Sequence, residues 1–314
     1  MKMAANAIPR TMTRGKLERV ALVAVLGGAT GIGFAPILVR LSETGPSATA
    51  GLRVLFALPL LWMMANVQRR KQPSAVQPTS RRDFIMLAVA GLFFTADLSI
   101  WHWSLRFTSV ANSTLLTNFA PVFVAIGAWA FLGEAFSRRF VLGLVLALGG
   151  AALLASGRLS FMPGHLFGDA LAVCGAIFYA GYLLSIKLLR RSLSTVAIMA
   201  WSGLVSCPAL FLVAWASGEK LLAAHAAGWV VVLALAVASH VVGQTLIAYA
   251  LGHLPAAVSA LCLLWQPVMA AILAWIVLSE PLNPVQIVGG IIVMAGIFIA
   301  SQRTAPAVVN GTAL

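Results

Sequence analysis

Asp97 sits in the middle of LAVAGLFFTADLSIWHW, where no other acid or base occurs before His102. A carboxylate in such surroundings costs about 2.5–3.5 kcal/mol on membrane-insertion scales, so it demands a partner or a wet cavity. Trp101 and Ser104 follow at i+4 and i+7, on the same helical face. Binding of a substrate amine or coupling to a proton is one reading of Asp97; an interhelical hydrogen bond is the other. His102 lies a turn further on, away from that face, and suits either a charge switch near neutral pH or an interfacial position beside Arg106.

Other polar and aromatic groups fall at similar depth. His240 and Gln244 are i,i+4 partners, fitted to line a site or to bond between helices. Tyr179 and Tyr182 lie too deep for the headgroup level that tyrosines favour. Asn118 stands just before Pro121, and Trp265 and Gln266 just before Pro267. Aromatic walls stack on flat or apolar ligands and attract ammonium groups, although core packing uses the same side chains. Each proline removes a backbone donor and frees a carbonyl near Thr117 or Leu263. A hinge in both places is the expectation.

These groups need a scaffold that keeps them in a membrane. Of 314 residues, 61% are hydrophobic and 9% charged, against about a quarter charged in soluble domains. Apolar runs at 20–41, 47–67, 84–106, 109–132, 140–156, 166–189, 194–216, 228–251, 254–278 and 284–301 can each cross hydrocarbon about 30 Å thick. Helices close their own backbone hydrogen bonds there, and the alternating strands of a β-barrel are absent. The fold class is therefore all-α: a polytopic membrane protein of ten transmembrane helices.

The net charge of +13 comes from basic clusters between spans, so it reads as a topology signal rather than a nucleic-acid surface. With the N-terminus in the cytoplasm, sixteen Lys and Arg residues fall inside and Arg40, Arg106, Arg158 and Lys220 fall outside. Both termini are expected in the cytoplasm of a bacterial cell, the chain spanning the inner membrane. The first run is too long for a signal peptide and lacks a small-residue cleavage site. The expected organisation is a tail at 1–19, a five-helix unit at 20–156 with a flexible loop at 68–83, a second unit at 166–301 and a tail at 302–314.

Residues 105–155 align without gaps to 251–301, every pair differing by 146: Pro121 with Pro267, Trp129 with Trp275, Glu134 with Glu280, and Gly143 with Gly289. Five spans separate the copies. Five is odd, so corresponding helices run in opposite directions. Two inverted five-helix repeats result, the arrangement many secondary transporters use for alternating access.

Arg53 in AGLRVLFALPLLW, the small-residue runs before Pro121 and Pro267, and the FLGE and VLSE helix ends resemble the EamA-type members of the drug/metabolite transporter superfamily. The resemblance covers essentially the whole chain and implies export or exchange of small metabolites without an ATPase. The aromatic content looks like that of amino-acid exporters of the YddG type.

The remaining features read as structure. Glu134 and Glu280 are expected as capping or loop groups, and Asn283-Pro284 as a helix start. Arg53 is expected to snorkel outward or pair with Glu43. Gly28, Gly31 and Gly33 mimic a dinucleotide loop but lie in a span, where close packing or a thin cavity wall fits better. Cys174, Cys207 and Cys262 lie far apart with no ligand spacing, so neither a metal nor a cofactor is expected. Walker A, HExxH and nucleophile-elbow sequences are missing, and Asp169 is a poor partner for Asp97 in an aspartyl hydrolase. The expected function is secondary export of small metabolites, amino acids first, through a cavity walled by spans one, three, four, six, eight and nine. A drug or other metabolite exporter, a channel and an intramembrane enzyme are the alternatives, and monomer or homodimer stays open.

Overall fold

The computed structural model describes residues 14–71, 77–156, 163–279 and 281–302. Most of both predicted tails, the centre of the 68–83 loop and Glu280 lie outside the described residues. Among the described residues, ten helices long and apolar enough to span a membrane run over Gly15–Arg40, Pro46–Lys71, Arg81–Ser104, Asn112–Leu132, Arg138–Ala155, Leu166–Leu189, Thr195–Ala216, Ala226–Leu251, Ala256–Val277 and Pro284–Ser301. Among the described residues there is no strand. Several helices outrun their apolar cores: the second continues through Arg69, Arg70 and Lys71, and the third begins at Arg81. The loop expected at 68–83 is correspondingly shorter.

Helix starts are fixed by short polar side chains that accept from the first free backbone N–H groups. Ser80 accepts from Asp83 N at 3.1 Å, Ser109 from Asn112 N at 3.1 Å, and Ser137 from Phe140 N at 3.1 Å. Asn283 accepts from Gln286 N at 2.8 Å, with Pro284 in the first turn. The exterior is apolar: Phe131 is 81% exposed, Trp129 67% and Trp275 55%. A belt of that composition is stable against lipid and not against water.

The halves exchange roles when the span number changes by five. The third span packs on the sixth, as the eighth packs on the first; the fourth packs on the sixth, as the ninth packs on the first. The second pairs with the seventh and the fifth with the tenth, so each of these two contacts maps onto itself under the exchange, and all of the contacts named here run between the halves. Gly143 and Gly150 meet Gly296 and Gly289 backbone to backbone. A Cβ at Gly143 would sit 2.5 Å from the Gly296 carbonyl oxygen, and one at Gly150 would sit 2.6 Å from that of Gly289. All four positions obey the 146-residue offset. So do the left-handed helix ends at Gly133 (φ 68°) and Ser279 (φ 56°).

Among the described residues three spans are broken, the fourth and ninth near their middles and the first close to its far end. The first is interrupted at Phe34, ahead of Pro36 in the first turn of Ala35–Arg40. The fourth divides into Val110–Thr117 and Ala120–Leu132, and the ninth into Ala256–Cys262 and Trp265–Leu278. Pro121 and Pro267 each occupy the first turn of the second piece, where a missing N–H costs least. The eighth span carries a π-helical stretch over Ala236–Gln244, for which the sequence offered no sign. Gly28 and Gly31 let the first span lie against it, since a Cβ at Gly31 would meet the Ala238 carbonyl oxygen at 2.6 Å.

Candidate functional site

The broken spans surround a cavity of roughly 1060 Å³, counting the space at its open mouth. Its walls come from the first span (Ile32, Gly33, Pro36, Val39), the second (Pro46, Ala50, Arg53) and the third (Phe94, Asp97, Leu98, Trp101, His102). Thr114, Thr117 and Asn118 from the fourth, Tyr179 from the sixth, Leu235 and Gln244 from the eighth, and Gln266, Pro267 and Ala270 from the ninth complete it. The second span was not among the expected walls. These residues lie from mid-span toward the face opposite the chain's described ends, so the mouth is on that opposite face.

On the face of the chain ends the halves are tied together. Glu134, at the end of the fourth span, accepts from Ala256 N at 2.8 Å and Ala257 N at 3.3 Å. It caps the ninth span across the boundary between halves, where free N–H groups and the helix dipole favour a carboxylate. Nearby, Lys187 Nζ donates to the Leu254 carbonyl oxygen at 2.6 Å.

Seven of the ten expected site residues line the cavity: Asp97, Trp101, His102, Asn118, Tyr179, Gln244 and Gln266. His102 lines it despite its angle from Asp97 on the helix, because the cavity wraps around that end of the third span. Its Nδ1 has no hydrogen-bond partner and its ring lies 5.0 Å from that of Trp101. The amide nitrogen of Gln266 is likewise buried without a partner.

Tyr182, His240 and Trp265 are not in the wall and are corrected to a supporting layer behind it. Tyr182 OH lies 3.3 Å from Gln244 Oε1, a donation that orients an amide in the wall. Its ring packs 5.0 Å from Phe94 and stacks 6.1 Å from Tyr179. His240 makes no hydrogen bond through either ring nitrogen and packs 5.7 Å from Phe94; the interhelical bond weighed for it does not form. Trp265 Nε1 donates to Thr30 Oγ1 at 3.0 Å, pinning the ninth span to the first just before the latter breaks.

Arg53 is the residue that sequence reasoning misplaced. It neither snorkels nor pairs with Glu43. It is 6% exposed, lies 5.5 Å from the centre of the Phe94 ring, and lines the cavity with Asp97, itself 7% exposed. A charge two turns inside a span is expensive, and that was the available signal. Glu43 instead binds His225 Nδ1 at 2.9 Å and the backbone N–H groups of Ala224 and His225. These contacts, the His225 backbone foremost, hold its carboxyl below the ordinary 4.5. Asp169 accepts from Thr108 Oγ1 at 2.6 Å, a tie between spans away from Asp97.

No group of three potential metal ligands occurs among the described residues. The arrangement can hold a small organic molecule between one acid, one base, amide groups and aromatic faces.

Known proteins fit this geometry. The EamA-like transporter family model matches residues 19–156 and 166–302, one copy per half. The uncharacterized transporter YetK of Bacillus subtilis is 25% identical over 308 residues, 95% of this chain and 90% of that one. The pseudopaline exporter CntI of Pseudomonas aeruginosa is 25% identical, covering 92% and 97%. A probable terminal-alkyne amino-acid exporter of Streptantibioticus cattleyicolor is 27% identical, covering 74% and 78%. A solved crystal structure superposes with a TM-score of 0.72 at 16% identity, covering 92% of this chain and 97% of that one, a likeness of fold alone.

Proposed function

This multi-pass membrane protein belongs to the EamA-like transporter family, whose members are not enzymes, and on that premise we propose that it exports amino acids, aromatic ones included, by alternating access without ATP. The observation that carries the proposal is a cavity among the spans, lined toward the face opposite the chain's described ends, with a lone acid among aromatic walls. Asp97 receives the ammonium group, which relieves the cost of a buried carboxylate. Trp101 and Tyr179 take the side chain. Asn118, Gln244 and Gln266 supply polar contacts, and His102 stands at the mouth side of Asp97. The breaks before Pro121 and Pro267 serve as hinges, letting each half rock about the shared glycine contact. The cavity then opens to one side at a time.

The chain ends face the cytoplasm, which places the open mouth outside. The uneven distribution of basic residues supports that sidedness. The relative named as a probable terminal-alkyne amino-acid exporter supports the substrate class, and the relative named as a pseudopaline exporter keeps another metabolite as the second reading.

Counterflow of labelled phenylalanine into proteoliposomes tests the proposal. Saturable exchange of the unaltered compound is expected, and Asp97→Asn should lower its rate at least about tenfold with folded yield unchanged. Fluxes that never saturate would make the protein a channel, and a chemically altered product would make it an enzyme.

A further inference from the structure

Arg53 and Asp97 are opposite charges buried in one cavity, and among the described residues neither side chain makes a hydrogen bond or an ion pair. Arg53 Nε is buried with no hydrogen-bond partner, the guanidinium lies 5.5 Å from the centre of the Phe94 ring, and Asp97 acts on it through its field without a direct contact. Attraction across the cavity without direct contact offsets only part of the cost of burying two ionisable groups, so a molecule that carries both complementary charges and binds between them is favoured. A guanidinium presents paired N–H donors in the geometry of a carboxylate's two oxygens. A lone carboxylate is matched by an ammonium, which brings three donors.

We propose that Arg53 is the carboxylate anchor of the transport site, so that the substrate is a zwitterion held between Arg53 and Asp97. This rests on the reading of the cavity as the transport site and sharpens its substrate class. Arg53 comes from the second span and Asp97 from the third, so the two groups of the ligand are read by different helices. Phe94 fixes the guanidinium, and Tyr182 and His240 back Phe94 from the other spans. Recognition of both charges rejects amines and acids that carry only one, because each would leave a buried charge without a partner.

The test is a substrate series on the purified full chain in proteoliposomes: phenylalanine, phenethylamine and 3-phenylpropionate as competitors of labelled phenylalanine counterflow. The wild-type protein should favour phenylalanine over both single-charge analogues by at least about a hundredfold, roughly the value of one buried ionic contact. Arg53→Gln should lose most of the discrimination against phenethylamine while keeping that against 3-phenylpropionate. Arg53→Lys should fall between the two, keeping the charge without the paired donors. The wild-type series stands even if Arg53→Gln fails to fold. Equal competition by phenethylamine in the wild-type protein overturns the proposal while leaving the transporter reading intact. So does an Arg53→Gln variant that weakens all three compounds alike, the signature of a structural role. Absence of phenylalanine counterflow altogether overturns the proposal together with the amino-acid reading.

Discussion

The two ends of the cavity are closed and opened by different kinds of contact. At the face of the chain ends, Glu134 of the first half caps the ninth span of the second, and Lys187 holds the Leu254 carbonyl beside it. At the other face Glu43 and Glu219 also bridge the halves, accepting from His225 and from Ala48 N at 2.9 Å respectively. Those ties hold the starts of the unbroken second span and of the eighth, and Val39 and Pro46 line the cavity beside them. Inter-half hydrogen bonds alone therefore do not close a pathway. Closure requires that they draw the end of one broken span onto the start of its counterpart, as Glu134 does. By the 146-residue offset, Glu280 is the sequence counterpart of Glu134.

The largest expected effect removes the support both mouths share. Gly150→Leu drives a side chain into the Gly289 carbonyl and the backbone of Val293, both within 2.7 Å of a Cβ at that position. A loss of about 3 kcal/mol or more is expected from such overpacking between backbones. It should appear as failure to elute as a monodisperse peak or as a sharply lowered melting temperature.

Breaking the closed mouth is next. Glu134→Ala leaves the Ala256 and Ala257 N–H groups without their acceptor, a loss of about 1.5–3 kcal/mol for bonds to a charged group. Since that loss falls on one state only, it shifts the balance between states by about ten- to a hundredfold. Faster alkylation of a cysteine at Ala257 reports it.

The tie at the open mouth is weaker and depends on pH. Glu43 titrates below the ordinary 4.5 in the folded protein because His225 and Ala224 stabilise its charged form. Its contribution is complete above 4.5 and is lost as pH falls through the depressed value. The difference in melting temperature between wild type and Glu43→Gln should thus be constant from neutral pH down to about 4.5 and shrink below it.

The smallest effects compare the paired helix ends. Gly133→Ala places a Cβ in a left-handed conformation and should cost about 1 kcal/mol, whereas Ser279→Gly relieves the same strain and should gain somewhat less, because glycine also loosens the unfolded chain. Thermal unfolding in detergent would show the opposite signs.

The pairing of Gly133 with Ser279 shows what was legible in the sequence. Ten apolar runs and one constant offset were enough for the spans and their inversion, because hydropathy and repeat spacing are local properties. The same offset paired Gly143 with Gly289 and marked the breaks at Pro121 and Pro267, but gave no sign that glycines of the two halves touch. It did not reach the site in full. Whether Tyr182 faces a void or a neighbouring helix depends on a partner far along the chain, and helical spacing alone cannot tell a wall from its backing. Arg53 was misplaced for a related reason: one span viewed alone offers a buried cation no reason to stay. Only the third span's Phe94 and the cavity beyond it explain its position. The π-helical stretch at Ala236–Gln244 lies against Gly28 and Gly31, and composition carries no trace of it.

Labelling single cysteines in a variant lacking Cys174, Cys207 and Cys262 tests the account most directly. A membrane-impermeant maleimide applied from outside should modify a cysteine at Val39. Applied from the cytoplasmic side, it should modify one at Gln302 at once, and one at Ala257 only slowly until phenylalanine is present on both sides. Modification of Val39 from the cytoplasm alone, or of Gln302 from outside, would contradict the inverted, outward-open arrangement.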